Sequence, residues 1–286
     1  MTRPYAEVIG DPIAQSKSPL IHNFWLAKLG VDADYRAFRV TEAQLPDYLL
    51  QRRRDLDWRG CNVTMPLKQA VAPLVESIDD FAARAGAINT VVRDGDGLRG
   101  GNSDGAGFLE PLGPLPQDAG GYAGAACLLG TGGAARGIAV ALREAGFQLD
   151  IYGRTSESAR ALIDAIGAGP EVGGGVISEQ FFWWTAEARQ AHDRHIALLV
   201  NATSLGMTGH PPLPILLDRV GDGISVYDIV TSPLETPLLK DARARGMRSF
   251  DGLQMLVGQA AVAFERFFGQ PAPRTHDAEL RRLLVL

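Results

Sequence analysis

Cysteine is nearly missing: Cys61 and Cys127 are the only two in 286 residues, and both fall in apolar, strand-like runs. Two thiols cannot build a disulfide framework. Neither has the C-x-x-C or Cys/His surroundings of a zinc site, so no metal is expected. Two buried, reduced thiols suit the cytoplasm, and Met1-Thr2-Arg3-Pro4-Tyr5 lacks the apolar run of a signal peptide. No stretch approaches ~20 uninterrupted apolar residues, so no membrane span is expected. Runs of Lys and Arg are also missing, and the formal net charge is −5. That removes the electrostatic basis for a nucleic-acid or anionic-membrane partner. An anionic ligand must be caught by local groups. Trp183-Trp184 has no basic cluster around it and reads as packing rather than base stacking. No internal repeat is present.

What is present is an α/β rhythm. The length predicts two domains of ordinary size, and 46% hydrophobic with 21% charged residues suits a folded soluble protein. Residues 6–9 are expected as the first strand. Ser18 as N-cap and Pro19 as first helical residue predict a helix ending at Gly30. Residues 34–38, 59–63 and 87–92 predict strands, and Asp94-Gly95-Asp96-Gly97 a hairpin turn. A second series opens near Gly121, with strand 125–129, helix 134–145 closed by Gly146, and strand 149–152. Strands at 196–200, 224–227 and, more weakly, 248–250 follow, then helices at 253–268 and 275–283. The glycine-rich stretch 167–176 predicts a surface loop.

Strand 125–129 runs directly into Gly130-Thr131-Gly132-Gly133-Ala134-Ala135-Arg136 and a helix, which is the context a dinucleotide loop requires. Gly130 permits the tight turn, Gly132 lets backbone approach a pyrophosphate, and small Ala135 allows close helix–sheet packing. The helix N-terminus offers free N–H groups and partial positive charge to phosphates. About twenty residues on, an NAD site places a carboxylate against the ribose 2′-OH. This chain has Tyr152-Gly153-Arg154-Thr155, and a guanidinium beside a hydroxyl suits the 2′-phosphate of NADP.

Three polar clusters in the first half each begin where a strand ends. They are Ser16-Lys17-Ser18, the run from Asn62 through Thr64 to Lys68, and Asn89-Thr90 with Asn102-Ser103-Asp104-Gly105. Together they supply hydroxyls, amides, one ammonium and one carboxylate, an inventory for a small polyhydroxylated ligand. Oxidising a secondary alcohol to a ketone needs a group that takes the hydroxyl proton, and Lys68 with Asp104 is the candidate pair. A lysine withdrawn from water titrates nearer neutrality, and an adjacent carboxylate orients it. Each also has a plain structural reading: Lys68 on the surface of a short helix, Asp104 as N-cap of a helix over 105–109.

These motifs, with Leu129 through Arg136, Val200-Asn201-Ala202-Thr203-Ser204 and the run from Gly252 to Gln259, resemble the shikimate dehydrogenase family. The resemblance runs in order from about Val8 to Gly269. It implies two α/β domains separated by a cleft: a substrate domain over 1–104, completed by C-terminal helices from about 252 to 286, and a Rossmann-type NADP-binding domain over 105–251. It implies reversible NADPH-dependent reduction of 3-dehydroshikimate to shikimate, by a monomer or homodimer. Ser16 and Ser18 would hold the substrate carboxylate, Lys68 and Asp104 would serve the reacting oxygen, and Asn62, Thr64, Asn89 and Gln259 would complete the contacts. Gly130, Thr131, Gly132, Gly133 and Ala134, with Gly153, Arg154 and Thr155, would hold NADP, and Ile229 and Gly252 would lie near the nicotinamide.

Two places depart from the family pattern. Thr231, in Asp228-Ile229-Val230-Thr231-Ser232-Pro233, stands where the family usually has a substrate-facing Tyr, and its hydroxyl reaches less far. Gly153 stands where an Asn is usual, and Ser158 stands near the position of a second basic residue, with Arg160 close by. A quinate or aminoshikimate dehydrogenase of the same superfamily is the nearest alternative. A non-catalytic NADP-binding sensor is the other, though it would have little use for both Lys68 and Asp104.

Overall fold

The structure, a computed structural model, describes residues 3–114, 123–167, 172–176 (backbone only), 196–217 and 223–286. The chain divides into two compact units, one of residues 1–107 with 256–286 and one of 108–255.

The first unit is built on a mixed six-stranded sheet. β1 (Tyr5–Gly10) lies between β2 (Asp34–Arg39) and β3 (Trp58–Val63), both parallel to it. β5 (Thr90–Asp94) runs antiparallel to β3 and turns through Gly95 (φ 59°) into β6 (Gly97–Gly101). The short β4 (Ser77–Ile78) closes that edge. One face buries Ile9, Trp58, Cys61, Leu67, Ile88 and Leu98. The other buries Ala6, Val8 and Tyr35 together with Ala263 and Phe267 of α8 (Gly252–Phe268), so the C-terminal helix supplies part of this core. Gly60 permits that packing, because a Cβ there would stand 2.6 Å from the Phe267 ring. Around the sheet lie α1 (Ser18–Leu29), α2 (Leu45–Arg54), α3 (Asp80–Ala85) and α9 (Asp277–Leu284).

β1 also carries a buried charge. Glu7, 2% exposed, accepts from Arg52 Nε (2.7 Å), Arg52 Nη2 (3.1 Å) and the Tyr48 hydroxyl (2.7 Å). Burial of an ion is tolerated here because both its oxygens are satisfied.

The second unit holds β7 (Ala125–Leu129), β8 (Gln148–Gly153), β9 (Val172–Val176), β10 (Ile196–Asn201), β11 (Ser225–Asp228) and β12 (Ser249–Asp251). All neighbours are parallel, in the order β9-β8-β7-β10-β11-β12. Counted within the unit this is the doubly wound Rossmann order, whose direction reverses between β7 and β10. The described helices α5 (Gly133–Glu144), α6 (Ser156–Ala165) and α7 (Pro237–Ala244) accompany it, while α4 (Asp104–Leu109) begins in the first unit and ends in the second.

Four local expectations change. Lys17, not Ser18, occupies the N-cap of α1, with no side-chain cap bond. The Ser18 amide instead lies 3.3 Å from Ser16 Oγ, a local turn that starts the helix one residue early. α4 starts at Asp104 itself, so Asp104 is helical rather than a cap. Residues 87–89 stay outside β5, since Ile88 N donates to Lys68 O (2.7 Å) and Asn89 N to Gly101 O (3.0 Å). The glycine-rich stretch contains β9, because a neighbouring strand supplies a backbone ladder that needs no particular side chain. Trp183-Trp184 lies outside the described residues.

Candidate active site

Pairing register brings two of the three polar clusters to one end of the first sheet. β3 runs out at Val63, while antiparallel β5 begins there with Thr90 opposite Asn62. β6 ends with Gly101 opposite Thr90. Asn62, Thr64, Asn89 and the Asn102–Asp104 turn therefore emerge together. The loop after β1 lies against the same end, with Asp11 N donating to Met65 O (3.1 Å).

Lys68 lies in the turns that follow β3, and its Nζ is 2.6 Å from Asp104 Oδ2. The two side chains are 14% and 4% exposed, which removes the surface reading of Lys68. Asn89 Nδ2 donates to the other Asp104 oxygen at 2.9 Å, so each carboxylate oxygen has one donor. Asn89 is itself held: its Oδ1 accepts from Ser103 N (2.8 Å) and Thr90 Oγ1 (2.9 Å). Asn102 Oδ1 accepts from Asp104 N at 2.8 Å and fixes the turn. From α8, Gln259 Oε1 comes within 3.4 Å of Ser103 Oγ and 3.5 Å of Asn89 Nδ2. A lysine, a carboxylate and three carboxamides thus converge, mostly buried and mutually oriented. Such a site can exchange a proton with a ligand oxygen and donate hydrogen bonds around it.

Ser16 is half-buried and Ser18 buried at the start of α1. Among the described residues, no hydrogen bond joins either to Lys68, Asp104 or Asn89. Thr64 is half-buried, and its Cγ2 packs so closely on Gly10 that a Cβ there would stand 2.5 Å away. The sequence did not single out Tyr35, whose hydroxyl lies 2.6 Å from Asn62 Oδ1. Nothing but a buried tyrosine in a strand could have signalled it.

In the second unit the glycine loop follows β7 at the point where strand order reverses. Gly130 has φ 116°, and a Cβ on it would stand 2.6 Å from Ala202 O in the loop after β10. Gly132, the N-cap of α5, has the opposite surroundings: an added Cβ would meet nothing within 4 Å. No side-chain cap bond is made at the start of α5. Thr131, Gly133 and Ala134 are half-buried beside it. These are the features a pyrophosphate requires. At the end of β8, Arg154 is exposed, and Thr155 caps α6 by accepting from Ser158 N (3.1 Å) while keeping its own proton. Gly153 is buried against Ser158.

The end of β11 is organised by Asp228, fully buried, whose carboxyl is pushed up by desolvation. It accepts from Asn201 Nδ2 (3.0 Å), Val230 N (3.1 Å) and Thr236 Oγ1 (2.6 Å). That fixes the segment carrying Ile229 and Thr231, both half-buried. Gly252 lies under it, since a Cβ there would overlap the backbone of Ile229 and Val230.

A Rossmann-ordered unit with an open phosphate loop, and a second α/β unit with a buried lysine–carboxylate pair, define a nucleotide-dependent oxidoreductase. The shikimate dehydrogenase substrate-binding domain model matches residues 8–91, and the shikimate 5'-dehydrogenase C-terminal domain model matches 252–277. The chain belongs to the shikimate dehydrogenase family. It is 49% identical to the NADP(+) shikimate dehydrogenase of Sphingopyxis alaskensis over 99% of this chain and 97% of that one. The corresponding protein of Acidiphilium cryptum is 41% identical over 96% and 94%. The crystal structure of the Thermus thermophilus shikimate 5-dehydrogenase, described in complex with NADP(H) and shikimate, superposes with a TM-score of 0.82. It shares 33% identity, over 98% of this chain and 99% of that one.

Proposed function

We propose that this chain reduces 3-dehydroshikimate to shikimate with NADPH, reversibly, in aromatic amino acid biosynthesis. The observation that carries the reading is the Lys68–Asp104 pair at 2.6 Å, held by Asn89, in a chain nearly half identical to a named NADP(+) shikimate dehydrogenase. The substrate domain spans 1–104 with the C-terminal helices from about 252, and the cofactor domain 105–251. This split differs by a few residues from the compact units.

Lys68 and Asp104 are the catalytic pair. In reduction Lys68 donates a proton to the substrate carbonyl oxygen as negative charge forms there, and in oxidation it takes that proton from the hydroxyl. Asp104 keeps the ammonium aimed, and Asn89 keeps Asp104 aimed. Ser16 and Ser18 take the substrate carboxylate, Asn62, Thr64, Asn89 and Gln259 complete the hydroxyl and carboxylate contacts, and Thr231 is a further substrate contact. NADP fits the second unit: the α5 N-terminus and Gly130, Thr131, Gly132, Gly133 and Ala134 hold the pyrophosphate, supported by the open space at Gly132. Gly153, Arg154 and Thr155 take the 2′-phosphate, and Ile229 and Gly252 border the nicotinamide. When bound, NADPH supplies the hydride. The protein acts in the cytoplasm; no helix among the described residues is long and apolar enough to cross a membrane.

The test is to supply NADP with shikimate, quinate or an aminoshikimate and follow NADPH absorbance. Turnover fastest with shikimate is expected. Preference for another substrate would make Thr231 a specificity change and overturn the substrate assignment, and no turnover with any would leave a cofactor-binding protein.

A further inference from the structure

We infer that Tyr35 is a positioning residue for this reaction: its hydroxyl locks the Asn62 amide so that Asn62 meets the substrate as a hydrogen-bond donor only. The inference rests on reading Asn62 as a substrate contact.

Tyr35 is 2% exposed in β2 and held from three sides. Its ring stacks on His22 at 3.9 Å between centroids and 5° between planes. Its backbone N–H donates to Asn23 Oδ1 (2.9 Å), and its carbonyl accepts from Asn23 Nδ2 (2.8 Å). A ring so fixed points its hydroxyl at one place, Asn62 Oδ1, 2.6 Å away.

A carboxamide can face its neighbours in two ways, and its partners decide which. Asn62 Nδ2 lies 3.2 Å from the carbonyl oxygen of Asn89. A carbonyl can only accept, so the amide nitrogen belongs on that side. The amide oxygen then faces Tyr35, and the phenol must donate to it. Burial pushes the Tyr35 phenol well above its usual range, so that proton stays in place. The Asn62 oxygen and one N–H are engaged. The second N–H has no partner among the described residues. Asn62 therefore offers a ligand one donor, and the ligand atom opposite must accept, as a hydroxyl oxygen does. The same carbonyl of Asn89 also accepts from Val63 N (2.8 Å), so the amide is keyed to a rigid point of the sheet. Asn89 in turn holds Asp104. A line of hydrogen bonds thus leads from Tyr35, outside the site, to the catalytic carboxylate.

The experiment compares Tyr35→Phe, Asn62→Ala and Asn62→Asp with the unaltered enzyme, using shikimate and analogues lacking each hydroxyl in turn. Losing one hydrogen bond predicts that Tyr35→Phe raises the KM for shikimate on the order of tenfold, with the KM for NADP unchanged. Asn62→Ala identifies the hydroxyl concerned, and the Tyr35→Phe penalty should vanish with the analogue lacking it. Asn62→Asp, which replaces the donor by an acceptor, should bind shikimate more weakly than Asn62→Ala. If Asn62→Ala raises the KM while Tyr35→Phe leaves it unchanged, the inference fails and the functional reading stands. If Asn62→Ala has no effect, Asn62 is no substrate contact and both assignments of it fall. Equal weakening of shikimate, every analogue and NADP in Tyr35→Phe would show a purely structural tyrosine, and shikimate bound normally by Asn62→Asp would refute the donor polarity.

Discussion

His22 gives the structure's sharpest prediction about acid. It is fully buried on α1, and neither ring nitrogen has a hydrogen-bond partner. Tyr35 stacks on one face, Trp25 meets it edge-on, and Phe264 and Phe267 lie about it. Charging an imidazole there would cost desolvation with nothing to offset it, so burial lowers its pKa from 6.5 to about 3. The unfolded chain binds a proton at this imidazole below about pH 6.5, whereas the folded chain does so only near pH 3. Its contribution is complete above pH 6.5 and is lost as the pH falls. Each unit of that window costs about 1.4 kcal/mol, which amounts to about 2 kcal/mol by about pH 5.

His22→Leu removes the titration at similar volume. At neutral pH its effect mixes a lost aromatic stack with relief of an unpaired ring N–H, and the net change is small. The decisive quantity is the difference in slope. Protection of β1 and α1 amides against hydrogen exchange reads this unit alone and converts to a local unfolding free energy. Between about pH 7.5 and about pH 5 the original chain should lose about 2 kcal/mol more than the variant. Parallel curves would refute the reasoning, since the imidazole would then be protonated in the folded state or partnered.

Replacing Lys68 by Ala should cut turnover about 10²–10⁴-fold while leaving shikimate binding far less affected, and Asp104→Asn should also be slow. Steady-state kinetics with near-normal turnover in either variant would withdraw the proton-transfer assignment. Arg154→Ala should raise the KM for NADPH and spare that for NADH, so equal effects on both would undo the 2′-phosphate assignment. Arg52→Ala strands the Glu7 carboxylate and should cost about 3–5 kcal/mol in urea unfolding. The double replacement Glu7→Gln with Arg52→Met should recover most of that; no recovery would mean that the pair contributes more than mutual neutralisation.

The parts legible in the sequence were those whose chemistry is local. A strand, three glycines and a helix suggest a phosphate loop because the turn demands glycine, and Gly130 does take a φ of 116° there. Lys68 and Asp104 stood out because charged residues at strand ends have few structural reasons to be there. What stayed hidden depends on register. Tyr35 reaches Asn62 only because β2 and β3 flank β1 in a particular alignment, which no local pattern encodes. The role of Gly60 depends on Phe267, two hundred residues away in sequence. β9 was hidden for a different reason: its glycines argue for a loop, and only β8 beside it makes a strand.

Gly153 and Ser158, which looked like two separate departures from the family pattern, are one. A Cβ on Gly153 would overlap Ser158 Oγ and press on Thr155 O at 3.1 Å. That carbonyl is itself held by the Ser158 hydroxyl, at 2.9 Å. Substitutions at the two positions are therefore coupled. Replacing Ser158 removes the nearest obstacle, but a Cβ at 153 would still press on Thr131 Cγ2 at 3.0 Å and on the Thr155 carbonyl at 3.1 Å. With Ser158 in place, a side chain at 153 meets an occupied space. Each residue's tolerance to change thus depends on which side chain its neighbour carries.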